Sequence, residues 1–266
     1  MKKKFHLLTD DALEQLISQR LSERNAGYEQ ELRFKQASIA ALQAQINPHF
    51  LYNTLECIRG QAMIDGIPDI ARTAEALSHF FRYSISGHQD YATFQNELES
   101  IQNYLIVQQY RFSNRLSLQL DLDETDHTLM ELVMPKLSLQ PIVENAILHG
   151  LADVTDGGRI TIRAVISQAF ATIQISDNGC GMDNNTLSSL NRQLNTFSVP
   201  GNPKCCKTQL SDTGHHHGIA LSNINNRIKL LFGEEYGIQL FSILGEGTDV
   251  ELFLPLNHGE ETEDET

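Results

Sequence analysis

Five short runs of this 266-residue chain hold side chains whose types and spacing could do chemistry. The first is Gln45-Ile46-Asn47-Pro48-His49-Phe50-Leu51-Tyr52-Asn53. On a helix that begins after Pro48, His49 shares a face with Tyr52, Asn53 and Glu56, while Leu51, Leu55 and Ile58 point elsewhere. A neutral imidazole on an accessible polar face can act as a nucleophile, because its ordinary pKa leaves the free base populated near neutrality. On periodicity alone a plain surface histidine, one of ten, is the commoner reading.

The second run is Pro141-Ile142-Val143-Glu144-Asn145-Ala146-Ile147-Leu148-His149-Gly150. Asn145 and His149 are four apart and project from one helix face. An Asn oxygen suits a hard cation such as Mg²⁺, which takes few protein ligands and keeps waters and phosphates. His149 could reach a phosphate oxygen, and Glu144 could polarise a water or an accepting group. Taken alone, Glu-Asn in a buried helix is as readily a packing detail.

In the third, an apolar strand (Ile173, Ile175) runs into Ser176-Asp177-Asn178-Gly179-Cys180-Gly181. It sets a carboxylate at a strand end, where Asp177 could accept an exocyclic amine proton of the kind adenine offers. Gly179 and Gly181 would let the backbone approach a flat ligand; a simple Asp-Asn-Gly turn is the bland alternative. The fourth is Asp212-Thr213-Gly214 followed by His215, His216, His217 and Gly218-Ile219-Ala220-Leu221-Ser222-Asn223. A glycine opening a helix presents unpaired N–H groups and the positive dipole end to phosphates. The fifth, Gly245-Glu246-Gly247-Thr248, reads by itself as a hairpin. Cys205 and Cys206 with the three histidines suggest a metal only weakly, since vicinal thiolates strain one zinc site.

These runs must be held by elements. Residues 10–46 lack Pro, carry one Gly and are rich in helix formers; Leu32, Ile39 and Ile46 recur every seven, with Leu42 on the companion seam, as in a coiled coil. Pro48 interrupts that helix. Amphipathic helices follow, one bearing Ile70, Ala74, Leu77, Phe81 and Ile85, the next Leu98, Ile101, Leu105 and Phe112. From Arg115 the pattern changes. Leu116, Leu118, Leu120 and Leu122 alternate as a half-buried strand. A helix is predicted over 135–149, strands over 160–166 and 172–176, helices over 183–194 and 219–232, and strands over 238–244 and 249–254. Residues 195–217 form a long polar loop, a length often found in functional lids.

Composition limits the field further. Apolar residues make up 41%, and the net charge is −14. Five of the acids fall in the last eight residues, which read as a solvated tail. An acidic body repels phosphate backbones, so direct nucleic-acid binding is disfavoured. The four cysteines form no paired framework, which suits a reducing compartment, and no window approaches a membrane span. The chain therefore reads as cytoplasmic.

In order and spacing together, the runs resemble a sensor histidine kinase of the LytS/YesM type, with a C-terminal half similar to the GHKL (Bergerat-fold) ATP-binding domain. Residues 45–55 match the family's phosphoacceptor run and point to His49. Phe81-Arg82-Tyr83-Ser84 and the stretch from Tyr104-Leu105 through Arg111-Phe112 to Arg115-Leu116 match its helical signatures. The ATP-site boxes follow at 141–150, 177–181, 214–223 and 245–248. The resemblance implies that Asn145 holds Mg²⁺, Glu144 and His149 support phosphate handling, and Asp177 recognises adenine. It also implies that Gly179, Gly181, Gly214, Gly218, Leu221 and Thr248 shape the nucleotide pocket and its lid.

The expected fold is α+β: a coiled helix over 1–45, a helical-hairpin dimerisation and phosphotransfer region over 46–114, a GHKL sandwich with helices on one face of a mixed sheet over 115–256, and an acidic tail over 257–266. The expected function is ATP- and Mg²⁺-dependent autophosphorylation on His49, followed by phosphotransfer to a response-regulator aspartate, in a homodimer. Any membrane association would come through a sensor ahead of this chain. A non-catalytic nucleotide-sensing dimerisation module, and a GHKL ATPase or serine kinase, are the competing readings. The family places no acid after its histidine, so the general base is unassigned, with Glu56 a candidate.

Overall fold

Proline at the first position of a helix loses nothing, because its missing N–H would have no partner there. Helix α1 (Pro48–Ile64) starts in that way. The structure is a computed structural model, and it describes residues 48–85, 90–112, 115–167, 169–195 and 217–256. The coiled helix expected over 1–45 and the acidic tail lie outside the described residues. The chain divides into two compact units, Met1–Asn53 and Thr54–Thr266. Of the first, only the opening turns of α1 are described.

In the second unit the apolar stripe of α1 is unevenly used: Leu55 and Ala62 are buried, whereas Ile58 is 45% exposed. After a turn at Gly66 comes α2 (Pro68–Ile85), whose buried positions are Ala71, Ala74, Ala76 and Ser78. Small residues on that face let α3 (Phe94–Arg111) pack closely against it. The Thr93 side chain caps α3 by accepting the Asn96 N–H.

Beyond α3, alternation produces a five-stranded mixed sheet. Its strands are β2 (Leu116–Asp121), β4 (Gly158–Ile166), β5 (Phe170–Asp177), β6 (Gly237–Ile243) and β7 (Gly247–Pro255), in the order β2-β4-β5-β7-β6. β2 runs parallel to β4, and the remaining pairs are antiparallel. One face buries Ile160 and Ile162, Ile173 and Ile175, Leu252 and Leu254 beneath α3, α6 (Asn184–Asn195) and α7 (His217–Phe232). The opposite face carries Arg159, Arg163 and Val165 outward. This is the α+β arrangement expected, with helices on one face of a mixed sheet. Among the described residues no helix is long and apolar enough to cross a membrane.

A parallel pair needs a crossover, and the one between β2 and β4 departs from the expected helix over 135–149. It holds a short helix α4 (His127–Met130), a strand β3 (Val133–Pro135), a turn, and only then α5 (Gln140–Asn145), which continues as a π-helical turn over Ala146–Gly150. The helix starts five residues late because 133–135 pair antiparallel with β1 (Tyr91–Thr93), and extended backbone cannot also be helical. Leu137 then takes a left-handed φ of 59°. The β1–β3 pairing was not legible in so short a run, and it fastens the crossover beside the start of α3.

Candidate functional site

A cavity of about 570 Å³ opens between the sheet and the helices that cover it. That size accommodates a nucleotide-scale ligand. Three predicted segments converge on it. Asn145, His149 and Gly150 come from the end of α5 and its π turn, Asp177, Cys180 and Gly181 from the end of β5, and Thr248 from the start of β7. Gly218 and Leu221 enter from α7. Apolar walls are supplied by Ile142, Ile175, Leu240 and Val250.

Each polar group has a local reason for its position. A π turn inserts where an N–H bonds five residues back, and here the Leu151 N–H donates to the Ala146 carbonyl at 2.8 Å. Asn145 and His149 both line the cavity across that widened turn. The Asp177 carboxylate accepts the Gly179 N–H at 2.9 Å. Burial pushes its pKa up, partly offset by N–H groups of Gly179 and Thr248, with Asp249 adding repulsion. At the hairpin, Ser242 Oγ accepts the Met182 N–H at 2.8 Å and donates to the Gly247 carbonyl at 2.8 Å. With its one proton so used, Thr248 Oγ1, 3.0 Å away, is the donor of that pair.

The glycines also let other backbone approach. A Cβ at Gly179 would collide with the Gly150 backbone, and one at Gly181, where φ is +62°, would collide with the Ile243 carbonyl. Their bare backbones let three chain segments touch: the Cys180 N–H donates to the Gly150 carbonyl at 2.9 Å and the Gly245 N–H to the Cys180 carbonyl at 2.7 Å. Gly179 is not itself part of the cavity wall. The close approach seen here is backbone to backbone, beside the cavity-lining Gly150, Cys180 and Gly181.

Other expected residues fall elsewhere. Glu144 does not line the cavity; it accepts from Gln140 Nε2 at 2.7 Å, and its charge, after burial, helps push the Tyr104 phenol up to about 12. Gly214, Cys205, Cys206, His215 and His216 lie outside the described residues, and His217 opens α7. His49 belongs to the other unit. It is exposed on α1, with Nδ1 3.2 Å from Nδ2 of Asn53. The Glu56 carboxylate accepts from the Arg59 guanidinium at 2.8 and 2.9 Å.

Sequence reasoning missed the wall contributed by α6, where Asn185, Ser189 and Gln193 face the cavity. Their four-residue spacing was a readable signal for one polar helix face.

The donor set fits a cation that arrives with phosphate. Asn145 Nδ2 is buried with no hydrogen-bond partner, so its amide is placed at the cavity by packing rather than by a protein acceptor. Among the described residues no group of three or more His, Cys, Asp or Glu could hold a metal. A Mg²⁺ here would take the Asn145 oxygen and complete its shell with phosphate and water.

Comparison with known proteins adds two family matches. Residues 37–116 match the histidine kinase family, and residues 135–258 match the histidine kinase-, DNA gyrase B-, and HSP90-like ATPase family. The sensor histidine kinase YesM of Bacillus subtilis (strain 168) is 38% identical over 228 residues, which is 85% of this chain and 35% of that protein. The sensor histidine kinase YpdA of Escherichia coli (strain K12) is 32% identical over 245 residues, 91% of this chain and 38% of its own. The chain therefore spans little more than a third of the length of these curated relatives. Among solved structures, the histidine kinase domain of an Erythrobacter litoralis blue-light activated histidine kinase aligns over 82% of this chain and 90% of its own at 14% identity, with a TM-score of 0.39. That score is too low to add to the fold described above.

Proposed function

Since the chain joins a histidine kinase region to a histidine kinase-type ATPase domain, and so belongs to the LytS/YesM-type sensor histidine kinases, we propose that it autophosphorylates on His49 with ATP and Mg²⁺ and passes the phosphoryl group to a response-regulator aspartate. The observation that carries this reading is the convergence of Asn145, Asp177 and Thr248 on one cavity of about 570 Å³.

In that cavity Asp177 accepts the adenine amine, and the apolar wall of Ile142, Ile175, Leu240 and Val250 takes the base. Asn145 faces the cation and His149 the phosphates. Glu144, one residue before Asn145 and outside the cavity wall, supports phosphate handling, while the general base stays unassigned with Glu56 a candidate. Gly218 and Leu221, with Gly214 just ahead of them in sequence, shape the nucleotide pocket. Held by Asn145 with phosphate and water, Mg²⁺ would supply neutralisation of phosphate charge. The His49 imidazole takes the group in line: an N–P bond forms, the γ-phosphorus bond to the bridging oxygen breaks, and ADP leaves. Positioning and charge neutralisation supply most of the acceleration.

On this reading residues 1–45 signal, 46–114 dimerise and carry the phosphoryl group, 115–256 bind ATP, and the tail over 257–266 stays solvated. The work takes place in the cytoplasm, on a homodimer. The response regulator, rather than this acidic chain, is the DNA-binding partner.

Incubation with γ-labelled ATP and Mg²⁺ tests the proposal. An acid-labile label that disappears in His49→Gln supports it. An acid-stable label points instead to an ATPase or serine kinase, and tight nucleotide binding without any label points to a nucleotide-sensing module.

A further inference from the structure

The turn that launches α5 is held by a residue forty positions away. Glu97, on α3, is 1% exposed. Its Oε1 accepts the Leu137 N–H at 2.6 Å, and its Oε2 accepts those of Ser138 and Leu139, each at 2.9 Å. Three successive N–H groups converging on one anion form a nest, and a nest requires a left-handed residue. Leu137 supplies it, at a cost no glycine would incur. The N-cap of α5, Leu139, has no side-chain hydrogen bond of its own. The Glu97 carboxylate, from another helix, holds the N–H groups of the three residues that lead into α5 rather than those of its first turn.

Two further groups clasp the same turn. The Tyr83 hydroxyl, from α2, donates to Glu97 Oε1, and the Lys136 ammonium stands over the Tyr83 ring at 4.9 Å. From the other side, the Arg227 guanidinium on α7 donates to the Lys136 carbonyl at 2.9 Å. One turn thus joins α2, α3, α7 and the helix that ends in Asn145, six residues past Leu139.

We propose that Glu97 is a positioning residue for the nucleotide site, acting through the turn of residues 137–139 on Asn145, and that Tyr83 ties this turn to α2, the helix that follows the one bearing His49. The inference rests on the cavity being the nucleotide site. It assigns a physical task to the Tyr83 of the Phe-Arg-Tyr-Ser run: reporting the state of the helical region to the start of α5.

The test uses the full chain and two variants. Glu97→Gln keeps the shape but turns one acceptor into an NH₂ group. That group must face either the Tyr83 hydroxyl and Leu137 N–H or the Ser138 and Leu139 N–H groups, donor against donor. Expected are a native far-UV spectrum, faster amide exchange at 137–139 without nucleotide, and about tenfold or greater loss of affinity for a fluorescent ATP analogue. Tyr83→Phe leaves the nest intact. Its analogue affinity should stay within about twofold of the parent, while His49 labelling at saturating ATP slows several-fold, a split that simple destabilisation does not produce.

Parent-like affinity in Glu97→Gln, or parent-like labelling in Tyr83→Phe, overturns the proposal. Should Glu97→Gln fail to fold, the Tyr83→Phe labelling rate decides alone. Failure of the cavity reading looks different, because the parent chain itself then binds no analogue.

Discussion

Nδ1 of His49 lies 3.2 Å from Nδ2 of Asn53, one helical turn along α1. On the proposed function, a hydrogen bond at Nδ1 leaves the opposite ring nitrogen, Nε2, to take the phosphoryl group. For Nε2 to be nucleophilic the ring proton must sit on Nδ1, which requires the Asn53 oxygen, rather than its nitrogen, to face it, a half-turn of the amide. Asn53→Ala removes the constraint on both ring orientation and tautomer. His49 labelling should slow by about twofold to tenfold, the worth of one ordinary hydrogen bond, with nucleotide affinity unchanged. Single-turnover labelling with labelled ATP measures it.

Asp177 is expected to set stability against binding. Its carboxyl is raised above the usual 3.8, chiefly by burial. A raised acid contributes stability below the unfolded value and loses it as pH climbs through the folded one. Relative to Asp177→Asn, the parent chain should therefore lose stability as pH rises from near 3.8, the difference levelling off once the folded carboxyl is ionised. At neutral pH the variant should be no less stable yet bind no ATP. Urea unfolding across acid pH, paired with analogue binding at pH 7, checks both halves.

The backbone crossing at Gly179 and Gly181 should not tolerate a methyl group. Gly179→Ala and Gly181→Ala push side chains into the Gly150 backbone and the Ile243 carbonyl. Both variants should lose ATP-analogue binding while the α2–α3 pair keeps its helical signal. Far-UV dichroism and binding titration separate the two effects.

Asn225 is a purely structural counterpart. It is 1% exposed, donates to the Leu194 carbonyl at 2.7 Å and accepts the Ile238 N–H at 2.8 Å, bridging the end of α6 to the start of β6. Asn225→Leu leaves two buried backbone groups unpaired. Denaturant unfolding should show a loss of about 1–3 kcal/mol.

Nucleotide should in turn stabilise the chain. A ligand bound only by the folded state raises the unfolding midpoint with its concentration, by about 2.7 kcal/mol at a hundredfold excess over Kd. Scanning calorimetry with ATP and Mg²⁺ should show this in the parent but not in Asn145→Asp.

Much of this molecule was legible in one dimension. Periodicity of 3.6 and of 2 marked α2, α3, β2, β4, β5 and β7 to within a few residues, since each buries one face and repeats locally. The spacing of Asn145 and His149, the strand running into Asp177, and the Gly-Glu-Gly-Thr hairpin marked the cavity-facing positions. All depend on neighbours a few residues away, and local sequence records those. The wall from α6 was readable in the same way but was passed over.

Tertiary contact settled what local pattern could not. Glu97 sits mid-helix like any surface acid in sequence, and only folding brings it to Ser138, forty-one positions on. The three-residue strand β3 has no periodicity to detect, yet its pairing with β1 delays α5 and fixes where Asn145 falls. Gly179 and Gly181 announce a close approach without saying to what, and the answer is other backbone. Helices and strands obey short-range rules because their hydrogen bonds and faces repeat along the chain. Carboxylates reaching across from distant helices and backbone-to-backbone crossings obey only the geometry of the packed whole.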